Sequence, residues 1–241
     1  MKKLIIIPII LIASFVFSQS LEGSWKLIEE NGMPVTQREV IRIYQDNYFA
    51  EGAKNKDTND FLWALGGEYN TDDYSATFDF NTKNPELVGE TQNPKLIFES
   101  EGKITINNVT GVEVWERTSA NQNDLSGNWV ITGIKRNEEL REMQPGARRT
   151  IKILGGDRFQ WVAFNSETRE FFGSGGGSYT AEDGKYIENI DFFSRDKERV
   201  GASLEFDFEV KDGEWHHSGK SSKGDPMYEI WSSYVQAYTK N

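Results

Sequence analysis

The chain has no cysteine, only two histidines, and 27 basic residues against 38 acidic ones in a length of 241. The absence of cysteine excludes disulfides, thiolate nucleophiles and cysteine-ligated metals. The excess of acidic residues gives a formal charge of −11. Because affinity for nucleic acids comes mostly from lysines and arginines that neutralise phosphates, this charge argues against a nucleic-acid partner.

The motifs of common hydrolytic enzymes are also missing. Neither Gly-x-Ser-x-Gly nor His-Glu-x-x-His occurs, and the two histidines, His216 and His217, are neighbours. Adjacent side chains of a strand point to opposite faces, so these two rings are not expected to ligate one metal together. Catalysis through paired carboxylates stays open, since the many acidic residues offer many pairs. We predict a non-catalytic protein with no cofactor and no metal.

The one long apolar run, Leu4–Phe17, follows the basic residues Lys2 and Lys3 and precedes a short polar stretch. This arrangement is typical of a secretory signal peptide, which we predict over residues 1–19. An uncleaved anchor is the alternative. After cleavage the protein is expected to be secreted or periplasmic, with no membrane span.

The rest of the chain carries one pattern twice, in the same order. Leu21–Trp25 (LEGSW) returns as Leu125–Trp129 (LSGNW), and Val112–Trp115 (VEVW) returns as Tyr228–Trp231 (YEIW). These paired segments lie 104 and 116 residues apart, and the spacing grows slowly along the chain. Such a period is too long for a solenoid repeat. We interpret the chain as two copies of one small domain, spanning residues 21–118 and 125–234.

Within each copy, apolar residues alternate with polar ones, as they do in half-buried β-strands. In Ser203–Val210 every second residue is apolar, and Asp212-Gly213 then signals a hairpin turn. Eight antiparallel strands joined mainly by hairpins favour an up-and-down sheet that closes into a barrel. The spacers Asn31–Glu39 and Arg136–Arg148 are each expected to carry a short helix or 3₁₀ turn. The eight strands predicted in the second copy are Trp129–Ile134, Thr150–Leu154, Arg158–Phe164, Gly177–Thr180, Lys185–Phe193, Ser203–Val210, Glu214–Gly219 and Tyr228–Ser232.

A small domain that opens with Leu-x-Gly-x-Trp and closes with Glu-x-Trp resembles the lipocalin-like families of the calycin superfamily, particularly the small domains common in secreted proteins of Bacteroidetes. Gly23-x-Trp25 and Gly127-x-Trp129 match the Gly-x-Trp at the start of the lipocalin barrel. The resemblance covers nearly all of the mature chain. It implies an all-β fold of two tandem eight-stranded up-and-down antiparallel barrels, and a habit of binding small molecules. Lipocalins end with a helix on the barrel, whereas each copy here is expected to end at its last strand.

Glu188 is the strongest candidate for a functional residue. It belongs to the segment Tyr186–Phe192, in which every second residue forms a largely aromatic face. If that face points inward, one carboxylate is buried and must be paired, protonated or used. A structural ion pair with Arg148 or Arg149 is the alternative. The first copy has Ala76 at this position and a plain apolar face, so we predict that the polar site belongs to the second copy.

By the same alternation His217 is expected inside the barrel with Trp215, and His216 outside. An interior histidine can act as a pH-sensitive hydrogen-bonding group, and a core histidine bonded to a neighbouring hydroxyl or carboxylate is the alternative. Nearby aromatic residues are candidates for the pocket walls. The predicted ligand-binding residues are Glu188, His217, Tyr186, Trp161, Phe159, Trp215, Arg149 and Tyr228.

We therefore expect an exported protein that holds a small, partly polar or hydrophobic ligand inside the second barrel without transforming it. The alternative is a cell-surface or periplasmic interaction module whose barrels are filled by their own side chains. The volume inside the second barrel discriminates between these two hypotheses.

Overall fold

The computed structural model describes residues 20–136, 139–220 and 224–239, so the predicted signal peptide lies outside the described residues. Strands make up most of the described structure and helices very little, which confirms the predicted all-β class. The strands of the first copy are β1 (Gly23–Glu30), β2 (Met33–Pro34), β3 (Arg38–Gln45), β4 (Tyr48–Asn55), β5 (Phe61–Tyr69), β6 (Ala76–Asn81), β7 (Thr91–Gln92), β8 (Lys95–Ser100), β9 (Lys103–Asn108) and β10 (Gly111–Ser119). Those of the second copy are β11 (Gly127–Arg136), β12 (Glu139–Glu142), β13 (Arg148–Gly155), β14 (Arg158–Asn165), β15 (Phe171–Glu182), β16 (Lys185–Phe193), β17 (Ser203–Lys211), β18 (Glu214–Lys220) and β19 (Pro226–Ser233). The helical elements are two 3₁₀ turns, Pro85–Leu87 and Lys197–Arg199, and the helix α1 (Tyr234–Thr239).

The first copy forms an antiparallel sheet that curls but does not close. Its strand order is β7-β6-β5-β4-β3-β1-β10-β9-β8, with β2 paired to β1. Within the described part of the chain no ladder joins the end strands β7 and β8. β7 is only two residues long, and Pro94, which has no N–H to donate, directly precedes β8. The first copy is therefore an open sheet, whereas the sequence predicts a closed barrel.

The second copy is a closed eight-stranded barrel. β11 and β13 to β19 are antiparallel neighbours in chain order, and β11 also pairs with β19. The closing ladder runs from Trp129 opposite Ser233 to Ile134 opposite Glu229. The up-and-down order is as predicted, and both predicted Asp-Gly turns have positive φ at both residues, as tight hairpin turns of this kind require.

The repeated Leu-x-Gly-x-Trp segments adopt the same local structure in both copies. Trp25 Nε1 donates a hydrogen bond to the carbonyl oxygen of Leu21 at 2.7 Å, and Trp129 Nε1 donates to that of Leu125 at 2.9 Å. All four residues are buried. Because a buried indole N–H needs an acceptor, the motif both fills the core and supplies the partner of its own tryptophan.

A β-bulge in β16 changes which side chains face the barrel interior. The register between β15 and β16 shifts between Gly176 and Gly177, where Asp191 is the extra residue. A Cβ atom on Gly177 would lie 1.8 Å from the carbonyl oxygen of Asn189, so only glycine fits. Because one inserted residue inverts the alternation, Phe192 points out of the barrel. The sequence prediction that it shares the inner face with Glu188 is wrong.

The first copy has the same bulge, and the outward phenylalanines of both copies meet between the two sheets. Phe192 stacks on Phe61 with ring centroids 6.1 Å apart, and Phe80 stacks on Phe171 at 6.5 Å. Phe61 and Phe171 occupy equivalent positions and stack on each other at 6.4 Å. The contact is thus reciprocal, like the isologous interface of a two-fold dimer. It belongs to one cluster of buried residues drawn from both copies.

The connecting segments and the C-terminus differ from expectation. β2 and β12 pair with the strands that precede them as short hairpins, where the sequence predicts a short helix or 3₁₀ turn. α1 follows β19, where the second copy was expected to end, and its residues Tyr234 and Tyr238 pack on the cluster between the sheets. No helix in the described ranges is long and apolar enough to span a membrane.

Candidate functional site

A cavity of about 620 Å³ lies inside the second barrel. Its buried polar end, the floor, is formed by Lys152 on β13, Glu188 on β16, His217 on β18 and Glu229 on β19. Pockets for small molecules typically measure about 300 to 1,000 Å³ and are lined mostly by apolar side chains. The apolar residues of the wall are Ile131, Trp161, Ile190, Phe193, Ala202, Leu204, Phe206, Met227 and Trp231.

Lys152 and Glu188 form a buried ion pair at the floor. Nζ of Lys152 lies 2.6 Å from Oε1 of Glu188, and each side chain is only 7% exposed. A lone buried charge is very costly, whereas a close pair cancels most of the field that each ion exerts. Aromatic rings complete the surroundings of the ammonium group at 5.3 to 5.8 Å, namely those of Phe159, Tyr186, Trp215 and Trp231.

His217 and Glu229 form the second polar contact of the floor. Nδ1 of His217 lies 3.3 Å from Oε2 of Glu229, which also accepts Nε1–H of Trp231 at 3.1 Å. Burial lowers the pKa of His217 and outweighs the opposite effect of Glu229. Burial alone would raise the pKa of Glu229, but the hydrogen bond from His217 and the charge of Lys152 bring that pKa below its usual value. At neutral pH the imidazole is therefore neutral, with its proton on Nδ1 towards the carboxylate.

The ionisable groups around the cavity are mostly acidic. Asp196, Glu198 and Arg199 belong to the turn that leads into β17, and Nε of Arg199 lies 3.4 Å from Oδ2 of Asp196. With the floor, the lining includes four carboxylates and two cations, while His217 is neutral. This charge distribution favours a neutral or cationic ligand over an anionic one.

Neither protein-family models nor curated protein sequences match this chain. Over the described ranges, no group of three or more histidine, aspartate or glutamate side chains is arranged to hold a metal ion. The function has to be argued from the geometry of the cavity itself.

The structure brings three of the predicted binding residues to the cavity wall. These are Glu188, His217 and Trp161. Glu188 pairs with Lys152, not with either arginine proposed from the sequence. Three further predicted residues are buried beneath the floor, in the core around the ammonium group of Lys152: Tyr186, Phe159 and Trp215.

Arg149 and Tyr228, also predicted as binding residues, do not line this cavity. Arg149 donates a hydrogen bond to the hydroxyl of Tyr234, and its guanidinium lies 4.0 Å from the ring centroid of Tyr238. The Tyr228 hydroxyl lies 2.7 Å from Nδ1 of His216. Alternation is the reason, because Arg149 and Tyr228 lie an odd number of positions from the inward residues of their own strands.

Sequence reasoning missed Lys152 and Glu229. Both lie in segments that recur in the two copies, since Ile151-Lys-Ile153 repeats Ile41-Arg-Ile43 and Tyr228–Trp231 repeats Val112–Trp115. A cation that recurs between two isoleucines is a signal worth testing for a buried charge, since buried lysines and arginines are almost always paired. The recurring acid of Glu-x-Trp is the acceptor for the tryptophan two residues later.

The first copy has a charged interior too, contrary to the prediction of a plain apolar face. Nε and Nη2 of Arg42 lie 2.9 and 2.5 Å from Oε2 of Glu51, and Nη2 lies 3.4 Å from Oε2 of Glu113. The Arg42 and Glu51 side chains are 11% and 4% exposed. Arg42 and Glu113 occupy the positions of Lys152 and Glu229.

The two copies differ in the strand that supplies the main carboxylate. In the first copy Glu51 lies on β4 opposite Arg42, and the β6 position is Ala76. In the second copy Trp161 takes the position of Glu51, and Glu188 takes that of Ala76. Both copies keep a buried cation, but its carboxylate partner lies on β4 in the first copy and on β16 in the second. The two interiors therefore present different side chains to a ligand.

Proposed function

We propose that this protein binds a small neutral or cationic molecule with an apolar body inside the second barrel, without transforming it. The observation that carries the proposal is the cavity of about 620 Å³ with apolar walls and a buried polar floor. Small-molecule sites combine such walls with a few fixed polar groups. The space inside supports ligand binding over an interaction module with filled barrels.

The floor suits a ligand with a hydrogen-bond donor. A carboxylate oxygen accepts more than one hydrogen bond, so an amine or hydroxyl can share Glu188 or Glu229 with its protein partners. An anionic group would have to compete with Glu188 for Lys152 at 2.6 Å and would face the surplus of acidic residues. The ligand class therefore excludes simple carboxylates.

The proposal of binding without catalysis rests on the two floor carboxylates, which already have hydrogen-bond or ion-pair partners within the protein. Glu188 is held by Lys152, and Glu229 by His217 and Trp231. Export forms part of the proposal and rests on residues 1–19 of the sequence.

Two fluorescent probes that share one framework test the proposal. N-phenyl-1-naphthylamine is neutral, and 1-anilinonaphthalene-8-sulfonate adds a sulfonate to the same framework. We expect the neutral probe to bind at least about tenfold more tightly, because the sulfonate meets the acidic lining. Equal or tighter binding of the sulfonate would contradict the proposed ligand class.

A matched pair of variants locates the site. Ala202→Trp puts an indole into the cavity, whereas Val210→Trp adds the same bulk to an exposed position of β17 outside it. Binding of the neutral probe should be lost in Ala202→Trp and kept in Val210→Trp. Unchanged binding in Ala202→Trp would refute the assignment to the second barrel.

A further inference from the structure

A second, smaller cavity of about 120 Å³ lies inside the curled sheet of the first copy. Apolar side chains form most of its wall, among them Phe49, Leu65, Tyr69, Phe78 and Leu96. An apolar cavity of about 150 Å³ in another protein is large enough to bind benzene. The space in the first copy is close to that of a single ring, and a small substituent would have to extend towards its border at Gln92 and Pro94.

The ion cluster beside this cavity is satisfied by the protein itself. Arg42 donates to Glu51 and Glu113, and its Nη1 donates to the Tyr44 hydroxyl at 3.1 Å. Trp63 Nε1 donates to the other oxygen of Glu51 at 2.7 Å. The two acids and two cations of the lining balance in charge, since Lys83 also borders the cavity. The buried ions Arg42, Glu51 and Glu113 are already paired with one another, and Lys83 is exposed, so a neutral ligand is favoured in the interior.

One buried donor beside the cavity has no partner. Asn81 is 3% exposed and borders the cavity, and its Nδ2 makes no hydrogen bond to any described residue. Its Oδ1 accepts from the backbone N–H groups of Lys83 and Asn84, which fixes the orientation of the amide. A buried N–H without a partner is unfavourable, and an acceptor on a ligand would remove this penalty.

The open seam of the sheet gives access to the cavity. Gln92, Pro94 and Leu96, at the junction between β7 and β8, border the cavity, and no ladder joins those two strands in the described structure. In the second barrel a ladder between β11 and β19 closes the sheet, so its described strands leave no such seam.

From these observations we propose that the first copy holds a second binding site, selective for a compact neutral aromatic compound with a carbonyl or similar acceptor. The ring lies against the apolar wall, and a small movement of the side chains that bury Nδ2 of Asn81 lets the acceptor receive its N–H. This site differs from that of the second barrel in size, charge balance and the polar group that it presents. It does not depend on the function proposed for the second barrel.

Fluorine NMR with two probes tests the site directly. 4-Fluoroacetophenone carries the acceptor, and 1-ethyl-4-fluorobenzene has the same ring without it. We expect the ketone to bind the full chain about tenfold more tightly than the ethyl compound. No binding of the ketone, or no preference for it, would overturn the proposal.

Variants in the two copies assign the signal. Ala76→Trp fills the first cavity and Ala202→Trp fills the second. Ketone binding should be lost only in Ala76→Trp, and loss only in Ala202→Trp would overturn the proposal. Near-ultraviolet circular dichroism checks folding, and Leu96→Trp replaces Ala76→Trp if the latter does not fold.

Asn81→Asp tests the donor. The aspartate keeps the oxygen that accepts from Lys83 and Asn84 but has no N–H to offer. The preference for the ketone over the ethyl compound should disappear in this variant, and an unchanged preference would rule out Asn81 as the donor. The naphthylamine titration of the second barrel is a separate measurement, so either site can fail alone.

Discussion

Removal of one member of the buried pair of Lys152 and Glu188 should destabilise the protein far more than removal of both. At 2.6 Å and an effective dielectric constant of about 20, two unit charges attract by about 6 kcal/mol. Taking each ion out of water costs several kcal/mol, so the intact pair contributes little net stability. Glu188→Met or Lys152→Met leaves one uncompensated ion among aromatic rings, and each should lower the free energy of unfolding by about 3 to 5 kcal/mol. The double variant should recover most of that loss.

Urea unfolding followed by tryptophan fluorescence measures these differences. Lys185→Met is the control, because Lys185 pairs with Asp207 at 2.7 Å on the surface, where both side chains are more than half exposed. Its unfolding midpoint should stay close to that of the wild type. Single Lys152 or Glu188 variants that lose less than about 1 kcal/mol, or a double variant that loses the sum of both, would refute the reasoning.

Three further predictions concern pH, the bulge and the contact between the sheets. Burial lowers the pKa of His217 in the folded protein. As the pH falls below 6.5, His217 is therefore protonated in the unfolded chain before it is protonated in the folded one, and this destabilises the fold. The free energy of unfolding from urea titrations should then fall more steeply with decreasing pH for the wild type than for His217→Gln, by up to about 1.4 kcal/mol per pH unit, and parallel curves would contradict this. Gly177→Ala should lower the melting temperature sharply, since its Cβ would lie 1.8 Å from the Asn189 carbonyl oxygen, whereas Gly102→Ala, with open space around it, should change stability by less than about 1 kcal/mol. Phe80→Ala should cost about 3 to 5 kcal/mol and split the calorimetric unfolding peak in two, because Phe80 is 2% exposed in the cluster shared by both sheets; a single unshifted peak would contradict this.

The reciprocal contact between the copies bears on how the fold is held together. Phe61 and Phe171 stack on each other, and each also stacks on the outward phenylalanine of the opposite copy. Gln160 Nε2 also donates to the backbone oxygen of Glu51 at 3.2 Å across the same contact. The two sheets therefore bury surface against each other and share a hydrogen bond. They are held together by this contact as well as by the segment that links them.

Patterns in the sequence were sufficient for the features that depend on local geometry. Alternation in β17 and β18 placed Phe206 and His217 in the interior, because successive side chains of a strand point to opposite faces. The Asp-Gly turns were predicted because few other dipeptides adopt positive φ at both residues. The repeated Gly-x-Trp and Glu-x-Trp segments marked the first and the last strand of each copy along the chain.

Local patterns were not sufficient where a single residue changed the register or where the partner was distant in the chain. The bulge at Asp191 inverted the alternation and sent Phe192 outward, and nothing in the spacing of the aromatic residues announces that insertion. Lys152 and Glu188 are 36 residues apart and meet only because the barrel brings β13 and β16 to face each other across its interior.

The amino-acid sequence by itself determined most of the longer strands, the Asp-Gly turns, the twofold repetition and the presence of a buried acid at Glu188, because each of these depends on neighbours along the chain. The tertiary structure alone decided which copy closes, which cation neutralises each buried acid and where space remains inside. Those outcomes depend on which strands meet after the sheets have curled: in the described structure the first copy stays open between the two-residue β7 and β8, which follows Pro94, whereas β11 and β19 close the second.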